Sequence, residues 1–199
     1  MAAREDLKMR LTRLRGQTAR LGRTGLSGPA VLRTAEVGIH LMLAAVLAGL
    51  VNSILIVNAE VPTGSMENTI MAGDRILALR TSYWFDEPEA GDIAVFRYPD
   101  DETDKTLYVK RIIGTPGDTV EMSNGTVYVN GKTLQEDYIA EVTQGSYGPY
   151  VVPDGCYFMM GDNRNHSQDS RFWRNQYVEK DEILGKVVLR YYKGFKWIS

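Results

Sequence analysis

From Val37 to Ala59 the chain runs for 23 residues without a charged side chain. No other feature restricts the fold as strongly. At about 1.5 Å rise per residue the run reaches roughly 34 Å as a helix, enough to cross a hydrocarbon layer of about 30 Å. Its polar members are His40, Asn52, Ser53 and Asn58, and Leu, Ala, Val and Ile fill most of the rest. A helix buried in a soluble core would carry a polar face, and this run hardly has one. A cleaved leader is the sharper rival, because Val57-Asn58-Ala59 resembles a small-residue cleavage site. The apolar part of such leaders is about 7–15 residues long, shorter than this run. The basic stretch before it is also unusually long for a leader. The run is therefore read as a retained, single-pass transmembrane anchor over residues 37–59.

Charge divides at the same place. Residues 1–36 carry eight Lys/Arg against three Asp/Glu, a net of +5. The other 163 residues carry 15 basic and 22 acidic side chains, a net of -7. Basic residues before a span hold that end in the cytoplasm. Asp and Glu count little in that rule, so the orientation rests on the leader. The expected organisation is a basic cytoplasmic segment (1–36), an anchor in the plasma membrane (37–59) and an extracytoplasmic domain (60–199). A basic tail beside an acidic domain also suits nucleic-acid binding, but the adjoining anchor explains the charge better, with the lipid bilayer as partner and no nucleic acid.

Cys156 is the single cysteine, so no intrachain disulfide can staple the domain. Next to Tyr157-Phe158-Met159-Met160 it reads as a small buried apolar residue, not a nucleophile. Two distant histidines, His40 and His166, and one cysteine do not make a metal site, and no phosphate-cradling Gly loop is present. Neither metal nor cofactor is expected.

Beyond Val61 the sequence breaks into short β-like runs separated by turn residues. The spacing predicts strands over 75–81, 92–98, 107–114, 119–122, 126–130, 156–160 and 183–192. Asn124-Gly125 and Asn130-Gly131 are expected hairpin turns, since Asn-Gly tolerates the positive φ that tight turns need. The fold class expected is mostly β: an antiparallel catalytic domain behind one N-terminal transmembrane helix.

Lys110 lies inside the apolar run Leu107-Tyr108-Val109-Lys110-Arg111-Ile112-Ile113. In a strand it shares a face with Tyr108 and Ile112, while Arg111 shares the other with Val109 and Ile113. A lysine starts near pKa 10.4 and serves as a base only near about 7–8, so an apolar site must disfavour its charge by about 4 kcal/mol. Arg111 keeps its charge in any setting. A lysine that snorkels from an edge strand fits the same residues. Ser65, in Val61-Pro62-Thr63-Gly64-Ser65-Met66, reads by itself as a turn serine. Its context adds a hydroxyl at Thr63, which can point at an oxyanion beside the Ser65 N–H, and a glycine that admits close approach. The polar run Gly161–Arg171 reads alone as a solvated loop, or as a hydrogen-bonded scaffold for a buried lysine.

Together these segments resemble the bacterial type I signal peptidases, Ser/Lys proteases that remove signal peptides from exported proteins. The resemblance lies in three ordered boxes: Pro62-Thr63-Gly64-Ser65-Met66 with Thr69; Tyr108-Val109-Lys110-Arg111 through Pro116-Gly117-Asp118; and Gly161-Asp162-Asn163-Arg164 through Ser167, Asp169, Ser170 and Arg171. Gly73-Asp74 and Gly91-Asp92-Ile93-Ala94-Val95-Phe96 also fit. The resemblance implies that Ser65 is the nucleophile and Lys110 the general base. It further implies that Thr63 completes the oxyanion hole with Ser65, and that Ser167 holds the lysine amine. Asp162 with Arg111, and Asp169 with Arg171, would be structural support. Secretory preproteins would be the partners, cut after small residues. Two departures stand out: Asn68 where the family usually has Pro, and Asn165-His166 in place of a common Asp-Asn.

Other readings predict different sequences. A Ser/Lys self-cleaving repressor would replace the uncharged span with a soluble DNA-binding helix pair. A sortase-like hydrolase needs a reactive cysteine. A relative that uses Ser and His would make His166 the base, but the lysine box is intact. An inactive, membrane-tethered peptide-binding β domain would tolerate loss of Ser65 or Lys110, and both are kept.

Overall fold

The computed structural model describes residues 28–103, 105–192 and 194–198. Most of the expected basic segment, residues 1–27, lies outside them. The chain divides into two compact units, Met1–Gly49 and Leu50–Ser199.

Helix α1 spans Gly28–Leu55. Its stretch Glu36–Leu55 is the one helix among the described residues long and apolar enough to cross a membrane. Leu41, Met42, Leu43 and Leu47 all present exposed apolar side chains, as a lipid-facing helix requires. The helix ends four residues before the expected anchor limit at Ala59. Ile56–Glu60 instead forms strand β1, which pairs antiparallel with β2 (Arg75–Leu79) from Ile56↔Leu79 to Glu60↔Arg75. The β-branched pair Ile56-Val57 suits a strand, and Val57 is buried in the core beside Ile76 and Ala78. Absence of charge marks the helix and the first strand alike, so the sequence pattern merged them.

Ten further strands lie among the described residues of the β unit. They are β3 (Ile93–Arg97), β4 (Leu107–Gly114), β5 (Thr119–Ser123), β6 (Thr126–Val129), β7 (Lys132–Thr133), β8 (Tyr147–Val151), β9 (Cys156–Met160), β10 (Val178–Glu179), β11 (Ile183–Arg190) and β12 (Lys196–Trp197). The main sheet has the order β1-β2-β11-β3-β4-β9-β10, with β12 paired to β11. The second sheet has the order β7-β6-β5-β8. All pairings are antiparallel.

Each of the seven expected strands is present, some shorter. Arg75–Thr81 stops at Leu79, where Arg80–Tyr83 coils into a 3-10 helix, and Ile183–Tyr192 stops at Arg190. Both Asn-Gly turns form as expected. Asn124 and Gly125 take φ 51 and 82, and Asn130 and Gly131 take 54 and 74. Positive φ at both central residues matches the twist of tight hairpins.

Three apolar clusters hold the β unit. Met66 and Ile70, from the loop after β1, are fully buried among Val57, Ile76 and Val95. Phe96, Tyr157 and Met159 anchor the second cluster, and Ile113, Phe158 and Met160 the third. Strand β4 passes between them and carries Lys110 into the interior.

Candidate active site

The loop between β1 and β2 is tied at its base. Val61 N–H donates to the Asp74 carbonyl at 2.9 Å, and Gly73 N–H to the Val61 carbonyl at 2.7 Å. Buried Met66 plugs the loop into the core, which fixes its neighbour Ser65. Ser65 is 7% exposed and Lys110 4%. Lys110 sits mid-strand in β4 opposite Ala94 of β3. Its Nζ lies 2.6 Å from Ser65 Oγ and 5.3 Å from the centre of the Tyr108 ring.

Burial pushes the Lys110 amine down to about 8, although the carboxylates of Asp169 and Asp162 pull the other way. Arginines answer both carboxylates. Arg111 Nε and Nη2 donate to the two oxygens of Asp162 at 2.9 and 2.8 Å, and Thr69 Oγ1 donates to Asp162 at 2.5 Å. Arg171 Nε and Nη2 reach the two oxygens of Asp169, both at 2.8 Å. Asp162 and Asp169 are completely buried, and such charges persist inside a protein only when paired in this way. A serine hydroxyl in contact with an amine of pKa near 8 can give up its proton near neutral pH.

Thr63 is exposed, and its Oγ1 lies 3.4 Å from Ser65 Oγ. The Ser65 N–H makes no hydrogen bond among the described residues. Thr63 and Ser65 both line the groove at the hydroxyl, where an oxyanion would form.

Ser167 departs from expectation. Its Oγ is buried and makes no hydrogen bond among the described residues, Lys110 Nζ included. The hydroxyl instead occupies the space that a side chain at Gly161 would fill, beside the Ser65 carbonyl. Gly161 has to be glycine for this close approach. His166 is exposed and shares a groove with Ser65 and Lys110, but makes no hydrogen bond to Ser65. Cys156 is half-buried and its thiol is pushed up by burial, the opposite of an activated nucleophile.

Two supports had no separate sequence signal. Asn163 clamps the serine loop: its N–H donates to the Ser65 carbonyl at 3.1 Å and its Nδ2 to the Gly64 carbonyl at 3.0 Å. Arg164 is 1% exposed, pairs with Glu136 and donates to the Gly161 carbonyl at 3.0 Å. The Tyr138 ring receives Arg111 at 3.8 Å and Arg164 at 5.8 Å. Both arginines stand in the third and second boxes, but Glu136 and Tyr138 lie in an unremarkable loop.

The groove above Ser65 has a volume of about 280 Å³. Ala59, Val61, Pro62, Leu107 and Val109 form its apolar walls. Among the described residues, strand β1 pairs with β2 alone and stands at the edge of the main sheet.

The sequence pattern of the signal peptidase, peptidase S26 family matches residues 34–192. The chain belongs to that family. It is accordingly a serine peptidase, and its apolar N-terminal helix makes it membrane-anchored. A probable signal peptidase I-2 of Synechocystis is 40% identical over 160 residues, covering 79% of this chain and 72% of that one. A signal peptidase I of Bacillus licheniformis is 39% identical over 141 residues, 66% of this chain and 74% of that one. A crystal structure of a signal peptidase I from Enterococcus faecalis matches with 33% identity and a TM-score of 0.45, over 51% of this chain and 97% of that one.

Proposed function

We propose that this peptidase removes signal peptides from exported preproteins, with Ser65 as nucleophile and Lys110 as general base. The observation that carries the roles is the 2.6 Å contact between Ser65 Oγ and a buried Lys110 Nζ on the floor of an open groove. Lys110 takes the hydroxyl proton as Ser65 Oγ bonds to the scissile carbonyl carbon. The oxyanion is met by the Ser65 N–H and the Thr63 hydroxyl. The lysine then gives its proton to the leaving amine, and the acyl-enzyme is released by water that the same amine activates. Asp162 with Arg111, and Asp169 with Arg171, keep β4 and the segment after β9 in register around the amine.

The edge of β1 suits an extended peptide added as a further strand. The apolar walls suit small apolar side chains before the cut. The basic leader puts the N-terminus in the cytoplasm and the β unit across the plasma membrane, where exported preproteins emerge. Anchoring confines enzyme and membrane-inserted substrate to two dimensions.

The test is digestion of a purified preprotein by the detergent-solubilised full chain, beside Ser65→Ala. A single cut after a small residue, lost in the variant, is expected. Cutting that survives Ser65→Ala overturns the assignment.

A further inference from the structure

Tyr138 touches all three segments that build the site and belongs to none of them. It lies in the loop 134–146, which joins β7 to β8 in the second sheet. Its ring lies 3.8 Å from the Arg111 guanidinium and 5.8 Å from that of Arg164. Its carbonyl accepts from Asn68 Nδ2 at 3.5 Å. Arg111 follows Lys110 in β4, Asn68 stands in the turn after Ser65, and Arg164 opens the 3-10 helix before Ser167.

The contact with Arg111 is of a particular kind. That guanidinium is engaged in its own plane: Nε and Nη2 on Asp162, and Nη1 on the Gly91 carbonyl at 2.7 Å. An aromatic ring binds the face of such a group and takes no donor from it. The ring therefore holds the plane of the guanidinium, and with it the direction of both bonds to Asp162. The loop that carries the ring is itself tied at several points. Leu134 N–H donates to the Val127 carbonyl at 2.9 Å. Glu136 pairs with Arg164 and accepts from the Tyr138 hydroxyl at 3.2 Å. Asn165 Oδ1 accepts from Gln144 N–H at 2.9 Å, and its Nδ2 donates to Glu141 at 3.0 Å.

We propose that the loop 134–146 is a strap from the second sheet and that Tyr138 is its positioning residue, setting the Lys110 amine against Ser65 through Arg111. This rests on the roles proposed above for Ser65 and Lys110. The Arg111–Asp162 pair pins β4 to the segment after β9, and Lys110 is the next residue in that strand. A guanidinium that can tilt lets the strand shift against the serine loop, and small displacements at a reacting pair are expensive in rate. Tyr138 and Arg111 line a cavity of about 430 Å³ that, among the described residues, neither Ser65 nor Lys110 borders. The groove over Ser65 is in turn lined by neither Tyr138 nor Arg111. A change at Tyr138 thus reaches the two reacting side chains without touching a peptide in the groove, and it acts on kcat and not on KM.

The test is steady-state cleavage of a purified preprotein by the full chain in detergent, beside Tyr138→Phe and Tyr138→Leu, with rates taken per mole of folded protein. Phe keeps the ring over Arg111, and Leu replaces it with an aliphatic side chain. Tyr138→Leu is expected to lower kcat about three- to tenfold with KM unchanged, the size of a desolvated cation–π contact, while Tyr138→Phe stays within about twofold of the wild type. If the Leu variant does not fold, Tyr138→Met, whose flexible side chain fills irregular space, takes its place. Wild-type kcat in the folded Leu or Met variant overturns the positioning role, as does an equal loss in Tyr138→Phe or a change confined to KM. Failure of the wild type to cut the preprotein overturns the proposed function, and the positioning role with it.

Discussion

Ser65 Oγ and Lys110 Nζ are 45 residues apart in sequence and 2.6 Å apart in space, and the fold buries most of both side chains. The contact depends on two unlike devices. A tight loop plugged by Met66 presents the hydroxyl. A strand in the middle of the main sheet delivers the amine through an apolar layer.

Activity should follow the Lys110 amine. Protonated lysine cannot accept the serine proton, so kcat/KM should rise with pH and level off above about 8, the value to which burial pushes the amine. A pH profile of precursor cleavage reads this directly. A profile already flat below pH 6 would contradict it.

The same burial costs stability. The folded amine titrates near 8 and an unfolded lysine near 10.5, so the unfolded chain holds more protons between those values. Stability then rises with pH across that window, and below it the fold carries the full cost of a buried cation. Lys110→Met should therefore abolish cleavage yet raise stability at pH 7 by about 1–2 kcal/mol, after allowance for the lost bond to Ser65. The advantage should disappear above about pH 10. Thermal unfolding of both proteins at pH 7 and pH 10 tests it, and a lower midpoint for the variant at pH 7 would refute it.

Asp162 is fully buried and takes both prongs of Arg111 as well as the Thr69 hydroxyl. Asp162→Ala leaves a buried guanidinium without its partner and should cost about 3–5 kcal/mol in denaturant unfolding. A loss under 1 kcal/mol would mean that water reaches Arg111.

Asn68 has φ 81, a backbone that proline, fixed near -65°, does not adopt. The family's usual Pro therefore does not fit here without a flip of the turn beside Ser65. Asn68→Pro should lose about 1–3 kcal/mol, while Asn68→Gly should be tolerated. Paired melting curves decide it.

Gly161→Ala should strike activity harder than folding. A methyl group there meets the Ser65 carbonyl and Ser167, so the serine loop has to shift. A displacement of about 1 Å at the hydroxyl can cost roughly a hundredfold in kcat. Steady-state kinetics beside a melting curve separates the two effects.

Much of this was legible beforehand. Alternation and turn residues marked seven strands because those strands are long and bounded by Gly, Asn or Pro. The strands they missed are short, such as Lys132–Thr133 and Lys196–Trp197, or interrupted, as β8 is by Gly148-Pro149. The boundary at Leu55 was hidden because a lipid-facing helix and a core strand can both lack charge. At the site, the ordered boxes pointed to Ser65 and Lys110, and strand parity put Lys110 on the side of Tyr108. The orientation of the Ser167 hydroxyl was beyond the sequence, since it depends on contact with Gly161 and the Ser65 carbonyl. Glu136 and Tyr138 were equally hidden, because their partners lie 28 and 27 residues away, at Arg164 and Arg111.

The central claim is that Lys110 is the base for Ser65. The most direct measurement is cleavage of a purified preprotein by the full chain in detergent, run beside Lys110→Ala with folding verified by circular dichroism. The prediction is a single cut after a small residue by the wild type, and a fall of about a hundredfold or more in the folded variant. Wild-type rates in a folded Lys110→Ala protein would contradict it and turn attention to His166.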